Sequence, residues 1–342
     1  MARPLLTVII PVYNTGGIVD RLISSIFAQV KNAQIILIND GSTDNSLGLI
    51  KSLASTDRRI SVISQKNSGP AAARNAGLER ATGKYISFLD SDDEIDAKFY
   101  TKILAGFTAP SCDLVTCGMK YHRLSDNSTV DIFTNPVTKR HPNEALIPYV
   151  IRLIGNDGRL YSLVNKIFRL DLINQHHIRF DPAINFGEDL LFVLAYLKHA
   201  NQIAFINQPL YTYHYGTATS IVKQSALLYA NWQHNWRYLT SWHHPTTPYE
   251  TDQLNWVKYR WVYSYCFAVC RSKETSNSKR ALLKMAASDQ TLPKIGLAKH
   301  IGHKKYYLEL LFRTAQKAPA LLSAYIRILY FIRLKHATSG DL

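Results

Sequence analysis

The chain has 342 residues, of which 46% are hydrophobic and 19% are charged, so a largely disordered protein is excluded. Its length is enough for one large domain or for a domain plus an extension. Because 40 Lys and Arg outnumber 25 Asp and Glu, we expect an anionic partner: nucleic acid, acidic lipid or a phosphorylated substrate.

Strands and helices alternate over the first hundred residues at the spacing of a parallel α/β sheet. The N-terminal stretch MARPLLTVIIPVYN is predicted to be the first strand rather than a signal peptide, because its apolar run is short and wrongly flanked. Apolar, β-branched segments predict buried strands, and stripes at helical spacing predict helices. We predict strands over 5–13, 35–40, 60–65 and 85–90, and helices over 17–29, 46–53 and 71–80.

Polar clusters follow the second, third and fourth strands, at 39–44, 67–70 and 90–93. The carboxyl ends of parallel strands are where such sheets bind ligands, so we expect a site there. Farther along, the patterns predict a strand over 112–124, a helix over 143–154, a strand running into a helix over 165–176, a helix over 186–200 and a strand or extended loop over 210–215.

The segment YISFLDSDDEID ends in five carboxylates, Asp90, Asp92, Asp93, Glu94 and Asp96. Like charges at this spacing repel one another unless something positive lies among them. Two carboxylates on one turn suit Mg²⁺ or Mn²⁺, which take their other ligands from phosphate and water. The alternative is that Asp92 and Asp93 cap a helix that begins near Ile95.

Six segments resemble, in the expected order, motifs of the family 2 glycosyltransferases. They are VIIPVYN (8–14), LINDGSTDNS (37–46), NSGPAAARNAGLERATGKYISFLDSDD (67–93), NKIFR (165–169), FGEDLLF (186–192) and PLYTYHYGTATS (209–220). The resemblance implies the GT-A fold, a mostly parallel, Rossmann-like α/β sheet flanked by helices. It predicts a catalytic domain over 1–220, followed by a mainly helical, basic and aromatic region over 221–342.

The family resemblance implies transfer of a sugar from a nucleotide diphosphate sugar, most often a UDP-sugar, to a hydroxyl group. Pro11 and Tyr13 match the edge of the nucleobase pocket, where Tyr13 could stack on uracil. Asp40 matches the acceptor of the uracil N3–H, and Arg74 matches a basic residue near the nucleotide. The alternatives are a turn role for Asp40 before Gly41 and a solvated helix face for Arg74.

The same resemblance assigns roles within the acidic segment. Asp90 matches the residue close to the ribose, with Ser91 beside it in the nucleotide site. Asp92 matches the ligand of Mn²⁺ or Mg²⁺. The cation would neutralise the charge that grows on the departing nucleotide diphosphate.

Glu188 and Asp189 match the second signature of the family. Asp189 corresponds to the base that removes the acceptor hydroxyl proton in inverting members, and Glu188 would orient it or touch the acceptor. The alternative is that both acids only stabilise the first turn of a helix. An inverting displacement needs one base and no covalent intermediate.

One position departs from the family pattern, since many relatives carry Arg where His214 stands. His214 could bind the metal or the diphosphate, or it could be an ordinary loop histidine. Ser220 is a candidate phosphate contact. Lys166 is a candidate contact to acceptor or phosphate, with a solvated lysine as the alternative.

The C-terminal stretch 294–336 contains nine Lys and Arg against the single acid Glu309, together with the apolar run ALLSAYIRILYFIRLK. It could pack on the catalytic domain, lie in the headgroup region of an anionic membrane or form a subunit interface. No apolar run approaches the roughly 18 residues of a membrane-spanning helix. Because sparse cysteine fits a reducing cytosol, we expect a cytoplasmic protein, peripheral to the inner face of the plasma membrane in the second case. The four cysteines contain no CxxC pair and are interpreted as core residues.

Three other functions compete with this prediction. A nucleic-acid-binding protein would use the positive charge, but no nucleic-acid-binding motif is present and the acids cluster where its surface would be basic. A sugar-phosphate nucleotidyltransferase lacks support, because PVYNTGG replaces its glycine-rich loop with a following Arg. An inactive module that binds nucleotide sugars stays open. Bacterial cell-surface polysaccharide synthesis, with a glycan or polyprenyl-linked acceptor, is the expected context.

Overall fold

A computed structural model of the chain describes residues 3–15, 19–124, 126–132, 146–156, 160–184, 187–215, 225–242, 244–245, 247–271 and 278. The chain divides into two compact units. The first contains Met1–Leu153 and Asp157–Thr219, and the second contains Ile154–Asn156 and Ser220–Leu342.

The first unit contains a mixed sheet with helices along the chain between its strands. The strands are β1 (Leu6–Val12), β2 (Ala33–Asp40), β3 (Ile60–Gln65), β4 (Tyr85–Phe88), β5 (Glu94–Ile95), β6 (Cys112–Arg123), β7 (Ser128–Ile132), β8 (Lys166–Arg169) and β9 (Gln202–Tyr215). The helices are α1 (Val19–Gln29), α2 (Ser46–Thr56), α3 (Gly69–Leu78), α4 (Phe99–Ala105), α5 (Leu146–Asn156, whose last three residues belong to the second unit), α6 (Leu170–Gln175) and α7 (Glu188–Leu197).

The strand order is β3-β2-β1-β4-β8-β6-β9-β5, with β7 paired to β6. The first four strands along the chain are mutually parallel, and β6 is parallel to β9. The pairs β4–β8, β6–β8, β6–β7 and β5–β9 are antiparallel. The carboxyl ends of β2, β3 and β4 therefore share one edge of the sheet with β1, as the polar clusters predicted.

Strand β1 lies inside the sheet and is buried along nearly its whole length. Its apolar, β-branched sequence suits this position because both of its faces pack against other side chains. In α3 the small residues Ala71, Ala73 and Gly77 are on buried positions. A Cβ on Gly77 would come within 2.6 Å of Ile9 Cγ2, so glycine lets α3 lie close to β1.

Pro11 ends the ladder between β1 and β4. The Leu89 N–H donates to the Ile9 carbonyl at 3.1 Å, and the next donor on that side of β1 would come from residue 11. Proline has no N–H to give, so the carbonyl of Leu89 receives no ladder bond from it. The chain leaves the sheet directly afterwards in the acid turn, which we define as residues 90–93.

The structure confirms the predicted strand over 60–65, and the other predicted strands and helices of the first unit agree within a few residues or are longer than predicted. The helix that was weighed from Ile95 does not exist: Glu94 and Ile95 form β5, which pairs with Thr212 and Tyr211, and α4 begins at Phe99. Asp92 and Asp93 therefore cap no helix there.

The second unit contributes α8 (Ser225–Trp242) and α9 (Pro248–Arg271). Trp236 meets Trp261 edge to face, and Lys258 Nζ lies 4.9 Å from the Trp236 ring centroid. Among the described helices, none is long and apolar enough to cross a membrane. The predictions for 294–336 and for Ser220 lie outside the described residues, as do the side chains of Cys266 and Cys270. Cys112 and Cys117 are buried free thiols.

Candidate active site

The three carboxylates of the acid turn have different surroundings. Asp93 is buried, and it accepts hydrogen bonds from the Tyr211 hydroxyl at 2.6 Å and from the His214 N–H at 2.9 Å. Asp90 is paired with Arg74. Asp92 is exposed. The turn thus uses Asp93 to fix its own conformation and leaves Asp92 accessible to a ligand.

Negative charge dominates the acid turn. Burial and then the charge of Asp90 raise the pKa of Asp93 to about 8. Asp92 has an exposed surface, but the groups around its carboxyl partly desolvate it, and this effect and then the charge of Asp90 raise its pKa above the ordinary value. The nearby ring of His214 lowers the pKa of Asp92, but it does not offset the other two effects. A ligand that brings positive charge to the turn would bind favourably.

His214 lies in β9, opposite His122 of β6. The two imidazole rings meet edge to face with centroids 5.1 Å apart, and His214 Nε2 is 3.6 Å from Glu94 Oε1. His214 Nδ1 is buried and has no hydrogen-bond partner among the described residues. An imidazole nitrogen in this condition is suited to bind a divalent cation.

Asp92 and His214 fit a divalent cation of the predicted kind. A carboxylate oxygen with an imidazole nitrogen is a donor set that suits Mn²⁺. Within the described residues, no group of three or more His, Cys, Asp or Glu side chains is arranged around a metal position. Two protein ligands are what such a site requires, because Mn²⁺ and Mg²⁺ take several ligands from phosphate and water.

The predicted nucleobase residues lie at the ends of β1 and β2. Tyr13 directly follows β1 and is 48% exposed, so its ring is available for stacking. Asp40 is buried and accepts hydrogen bonds from Gln65 Nε2, the Ser68 N–H and the Gly69 N–H, each at 2.8 Å. A carboxylate can accept about four hydrogen bonds. Asp40 thus joins β3 to the start of α3 and keeps capacity for one further donor.

Gly41 makes the turn after Asp40 possible. Its φ of +72° is in the left-handed region, and a Cβ at this position would stand 2.6 Å from the backbone nitrogen of Asn67. The loops that follow β2 and β3 therefore approach each other at a residue that must be glycine.

Arg74 is the buried centre of a partly buried cluster of charges. Its side chain is 4% exposed, which excludes the solvated helix face that was weighed for it. Nη2 is 3.0 Å from Asp90 Oδ1, while Nη1 is 3.0 Å from Asp189 Oδ1 and 3.3 Å from Glu188 Oε1. We call Arg74, Asp90, Glu188 and Asp189 the arginine cluster.

Glu188 and Asp189 form the first turn of α7, where the helix dipole stabilises negative charge. Gly187 precedes them with φ of +85°, a conformation that glycine adopts without strain. Burial raises the pKa of Asp189 to about 7, the charges of Glu188 and Asp90 add to this rise, and Arg74 opposes it. Asp189 is therefore a stronger base than an ordinary aspartate.

Lys166 lies in β8 and is fully buried, so the solvated alternative for this residue is wrong. Its Nζ donates to the Ser162 carbonyl and, at 2.8 Å, to Asn165 Oδ1. Asn165 in turn donates to the Cys117 carbonyl at 2.6 Å. These bonds tie β8 to the segment before it and to β6.

Ser91 of the acid turn, which the resemblance places in the nucleotide site, is also buried.

Two residues that support the site were not singled out from the sequence. The Tyr211 hydroxyl holds Asp93, and Phe180 places its ring 5.6 Å from the guanidinium of Arg74. The alternation of Tyr211, Tyr213 and Tyr215 along one strand was a signal for the first, because residues two apart share a face of the sheet. No local pattern marks Phe180.

The sheet, with its acid turn at a strand end and its second acidic pair on α7, is the architecture of a GT-A protein. By structure, the chain is similar to S. aureus TarS residues 1–349 in complex with UDP-GlcNAc (17% identity, TM-score 0.50, covering 94% of this chain and 89% of that one). It is also similar to the mannosyltransferase PcManGT of Pyrobaculum calidifontis in complex with GDP-Man and Mn²⁺ (16% identity, TM-score 0.51, covering 95% and 86%). These likenesses confirm the predicted fold.

The family model for "Glycosyl transferase family 2" matches residues 7–167. An uncharacterized glycosyltransferase of Haemophilus influenzae is 45% identical over 204 residues, which are 59% of this chain and 75% of that protein. The teichoic acid poly(glycerol phosphate) polymerase of Staphylococcus epidermidis is 33% identical over 216 residues, 60% of this chain and 28% of that one. The chain belongs to glycosyl transferase family 2, as the resemblance predicted.

The chain spans about three fifths of the length of the first curated relatives that it matches, the Bacillus subtilis glycosyltransferases EpsJ and EpsH. Of the arginine cluster, Arg74 and Asp90 lie inside the range that the family model matches, whereas Glu188 and Asp189 lie beyond it.

Proposed function

We propose that the protein is an inverting, metal-dependent glycosyltransferase that moves a sugar from a nucleotide diphosphate sugar, in first place a UDP-sugar, to a hydroxyl group. The observation that carries this proposal is the arginine cluster. Through one guanidinium it joins Asp90, at the end where the donor is expected, to Asp189, the candidate base. The two halves of a transfer reaction would thus meet in one partly buried group of charges.

The donor would bind across the edge formed by β1, β2 and β4. Tyr13 would stack on the base, Asp40 would accept its N–H with the capacity that its three internal hydrogen bonds leave, and Asp90 would face the ribose. Support at the level of fold comes from TarS, which binds UDP-GlcNAc, and from PcManGT, which binds GDP-Man.

Asp92 and His214 would hold the divalent cation, as PcManGT holds Mn²⁺ in its complex. When bound, the cation stabilises the negative charge that develops on the departing diphosphate. The chain's own contribution is the placement of the two ligands. Tyr211 and the His214 N–H fix Asp93, and through it the turn that carries Asp92.

Asp189 would accept the proton of the acceptor hydroxyl. As the acceptor oxygen bonds to the anomeric carbon, the bond from that carbon to the diphosphate oxygen breaks, and the electron pair leaves with the nucleotide. Attack from the side opposite the leaving group inverts the anomeric centre. A carboxylate whose pKa lies near 7 is well matched to this proton transfer at neutral pH.

The acceptor is proposed to be a hydroxyl of a glycan or a lipid-linked sugar in the synthesis of bacterial cell-surface polysaccharide. The similarity to a teichoic acid polymerase supports this context. Association with the inner face of the plasma membrane through the basic C-terminal stretch is part of the same proposal, as is assembly into a homo-oligomer.

The test is a panel of UDP-sugars with Mn²⁺, scored by thermal stabilisation and by release of UDP. We compare the wild type with Asp92→Ala and Asp189→Asn, and use the exposed Asp20→Asn in α1 as a matched control. We expect Asp92→Ala to lose metal-dependent binding, and Asp189→Asn to bind but lose turnover. Binding without turnover in the wild type would instead identify an inactive module that binds nucleotide sugars.

A further inference from the structure

Arg74 holds two motifs that lie more than 90 positions apart in the chain. It comes from α3, Asp90 from the acid turn, and Asp189 from α7. Both contacts are hydrogen bonds of 3.0 Å between charged partners, with Nη1 bonded to Asp189 and Nη2 bonded to Asp90. Glu188 shares Nη1 with Asp189, so three carboxylates depend on one positive charge.

The surroundings of Arg74 hold the guanidinium in place. Asn75, the next residue, donates to the Phe180 carbonyl at 2.8 Å and accepts from the Phe180 N–H at 2.9 Å. Phe180 stacks its ring on Phe192 of α7 with centroids 4.2 Å apart, and faces the guanidinium on another side. Close packing of Gly77 against Ile9 fixes the helix from which Arg74 extends.

The balance of charge in the arginine cluster is incomplete. If all three carboxylates ionise, the cluster carries two more negative charges than positive ones. Burial alone would lower the pKa of Arg74, but the three carboxylates raise it above its ordinary value, so the guanidinium stays charged. The carboxylates compete for it, and a stronger contact with one of them weakens its hold on the others.

We propose that Arg74 is a positioning residue that couples the candidate base, Asp189, to the donor side of the site. One terminal nitrogen of Arg74 holds Asp189, while Asp90 restrains the other. This inference rests on the proposed function for its chemical meaning. A donor that forms a hydrogen bond to Asp90 would weaken the Asp90–Arg74 contact and so change the hold of Arg74 on Asp189. Asp189 would thereby be prepared for the acceptor only when a donor is present.

The proposal makes a prediction with opposite signs for two variants. Arg74→Gln removes the positive charge and raises the pKa of Asp189, whereas Asp90→Asn removes a negative charge, releases the guanidinium toward Asp189 and lowers that pKa. We expect each change to be about 1 pH unit or more. The groups that act on the Asp189 carboxyl are Glu188 beside it, Arg74 of α3, Asp90 of the acid turn and the backbone of Leu163.

The pKa of Asp189 is measured directly by NMR on protein labelled with ¹³C at the aspartate carboxyl, with the resonance assigned by its loss in Asp189→Asn. This readout needs no donor or acceptor. Arg80→Gln is the matched control, because Arg80 is exposed just beyond the end of α3 and should leave the resonance unchanged. Arg74→Lys, which keeps the charge but cannot contact both motifs, is the variant to use if Arg74→Gln does not fold. Arg74→Lys should lower turnover at saturating UDP-sugar at least 10-fold, while the KM for the donor changes less than 3-fold.

Opposite movements of the Asp189 titration support the proposal, and adding UDP with the diamagnetic ion Mg²⁺ to the wild type should move the titration in the direction of Asp90→Asn. Movements of the same sign, or none, would overturn it. If no sugar nucleotide is turned over and UDP does not bind, the proposed function fails, yet the two variants still decide whether Arg74 couples Asp90 to Asp189.

Discussion

At the scale of single residues, the acid turn contains carboxylates with separate tasks. Asp93 is buried and held by Tyr211 and by the backbone of His214, whereas Asp92 is exposed. Loss of a buried hydrogen-bonded group costs more stability than loss of an exposed charge. In this turn Asp93 therefore supports the conformation of the chain, and Asp92 is left accessible to a ligand.

We expect Asp93→Ala to lower the free energy of unfolding by about 1–3 kcal/mol, because it leaves the Tyr211 hydroxyl and a backbone N–H without their acceptor. Asp92→Ala should change it by less than about 0.5 kcal/mol. Urea unfolding of the two variants beside the wild type measures both. Equal losses would show that the turn does not depend on Asp93.

The pKa of Asp189 predicts a pH dependence for turnover. Below a pKa of about 7 the carboxyl of the free enzyme is protonated and cannot accept the acceptor proton, so kcat/KM for the donor should rise as pH increases through 7. Since Glu188 raises this pKa, Glu188→Gln should move the rise to lower pH. Initial rates between pH 5 and 9 test this, and a rise that keeps its position in Glu188→Gln would contradict the assignment.

The free energy of unfolding should depend on pH through the same carboxyl, that of Asp189. The pKa of Asp189 is raised above its unfolded value, so the native state binds more protons between about pH 4 and pH 7, and this contribution to stability is lost as pH rises through 7. Asp189→Asn should therefore be more stable than the wild type at pH 8 and similar to it below pH 4. Thermal unfolding at the two pH values measures the difference.

Sequence reasoning placed these residues but not their contacts. The motifs identified Asp90, Asp92, Glu188 and Asp189, and the strand pattern placed the first two at the carboxyl end of a strand. The resemblance placed Arg74 near the nucleotide, and the structure adds its bonds to acids from two other segments. Such pairing depends on how α3 and α7 pack, which no local spacing reports.

At the scale of elements, the predicted strands with continuous apolar sequence are present because their burial on both faces leaves a clear pattern. The short strand β5 and the edge strand β7 were missed. Glu94 and Ile95 carry no periodicity, and they form a strand only because β9 offers Thr212 and Tyr211 as partners. Tertiary pairing, rather than local preference, decides such a segment.

The turn after β2 gives a prediction at this scale. Gly41→Ala should lower the free energy of unfolding by more than about 1 kcal/mol, since its φ is positive and the new Cβ would meet the Asn67 backbone nitrogen. It should also weaken UDP binding, because Asp40 and the start of α3 share this turn.

Gly48→Ala is the matched control. Gly48 lies within α2, and a Cβ there would meet only the end of the Asn45 side chain. Alanine in a helix should be neutral or stabilising by up to about 1 kcal/mol. If the two alanine variants unfold alike, the close approach at Gly41 is not a constraint on the fold.

At the scale of the whole molecule, the acids of the candidate site and the basic residues that give the chain its positive charge lie in different parts of the sequence. The arginine cluster and the acid turn concentrate negative charge in the first unit. The basic stretch 294–336 belongs to the part of the sequence that extends past the family resemblance. The formal net charge of +15 is therefore not a property of the candidate site.

We expect the full chain to sediment with vesicles that contain anionic lipid, because each Lys or Arg near such a surface adds about 1 kcal/mol. A variant that ends at residue 293 should bind these vesicles less, and both forms should bind neutral vesicles weakly. Recovery of both forms in the supernatant at low salt would remove membrane association from the proposal.

The proposed function depends above all on Asp92 of the acid turn, which we expect to bind a divalent cation together with the diphosphate of a sugar nucleotide. A crystal soaked with UDP and Mn²⁺ tests it most directly, with the manganese located by anomalous scattering. We predict the anomalous peak within bonding distance of an Asp92 oxygen, with diphosphate oxygens on its other side and the uracil beside Tyr13. A nucleotide bound at another place, or manganese absent from the turn while UDP is present, would contradict the account.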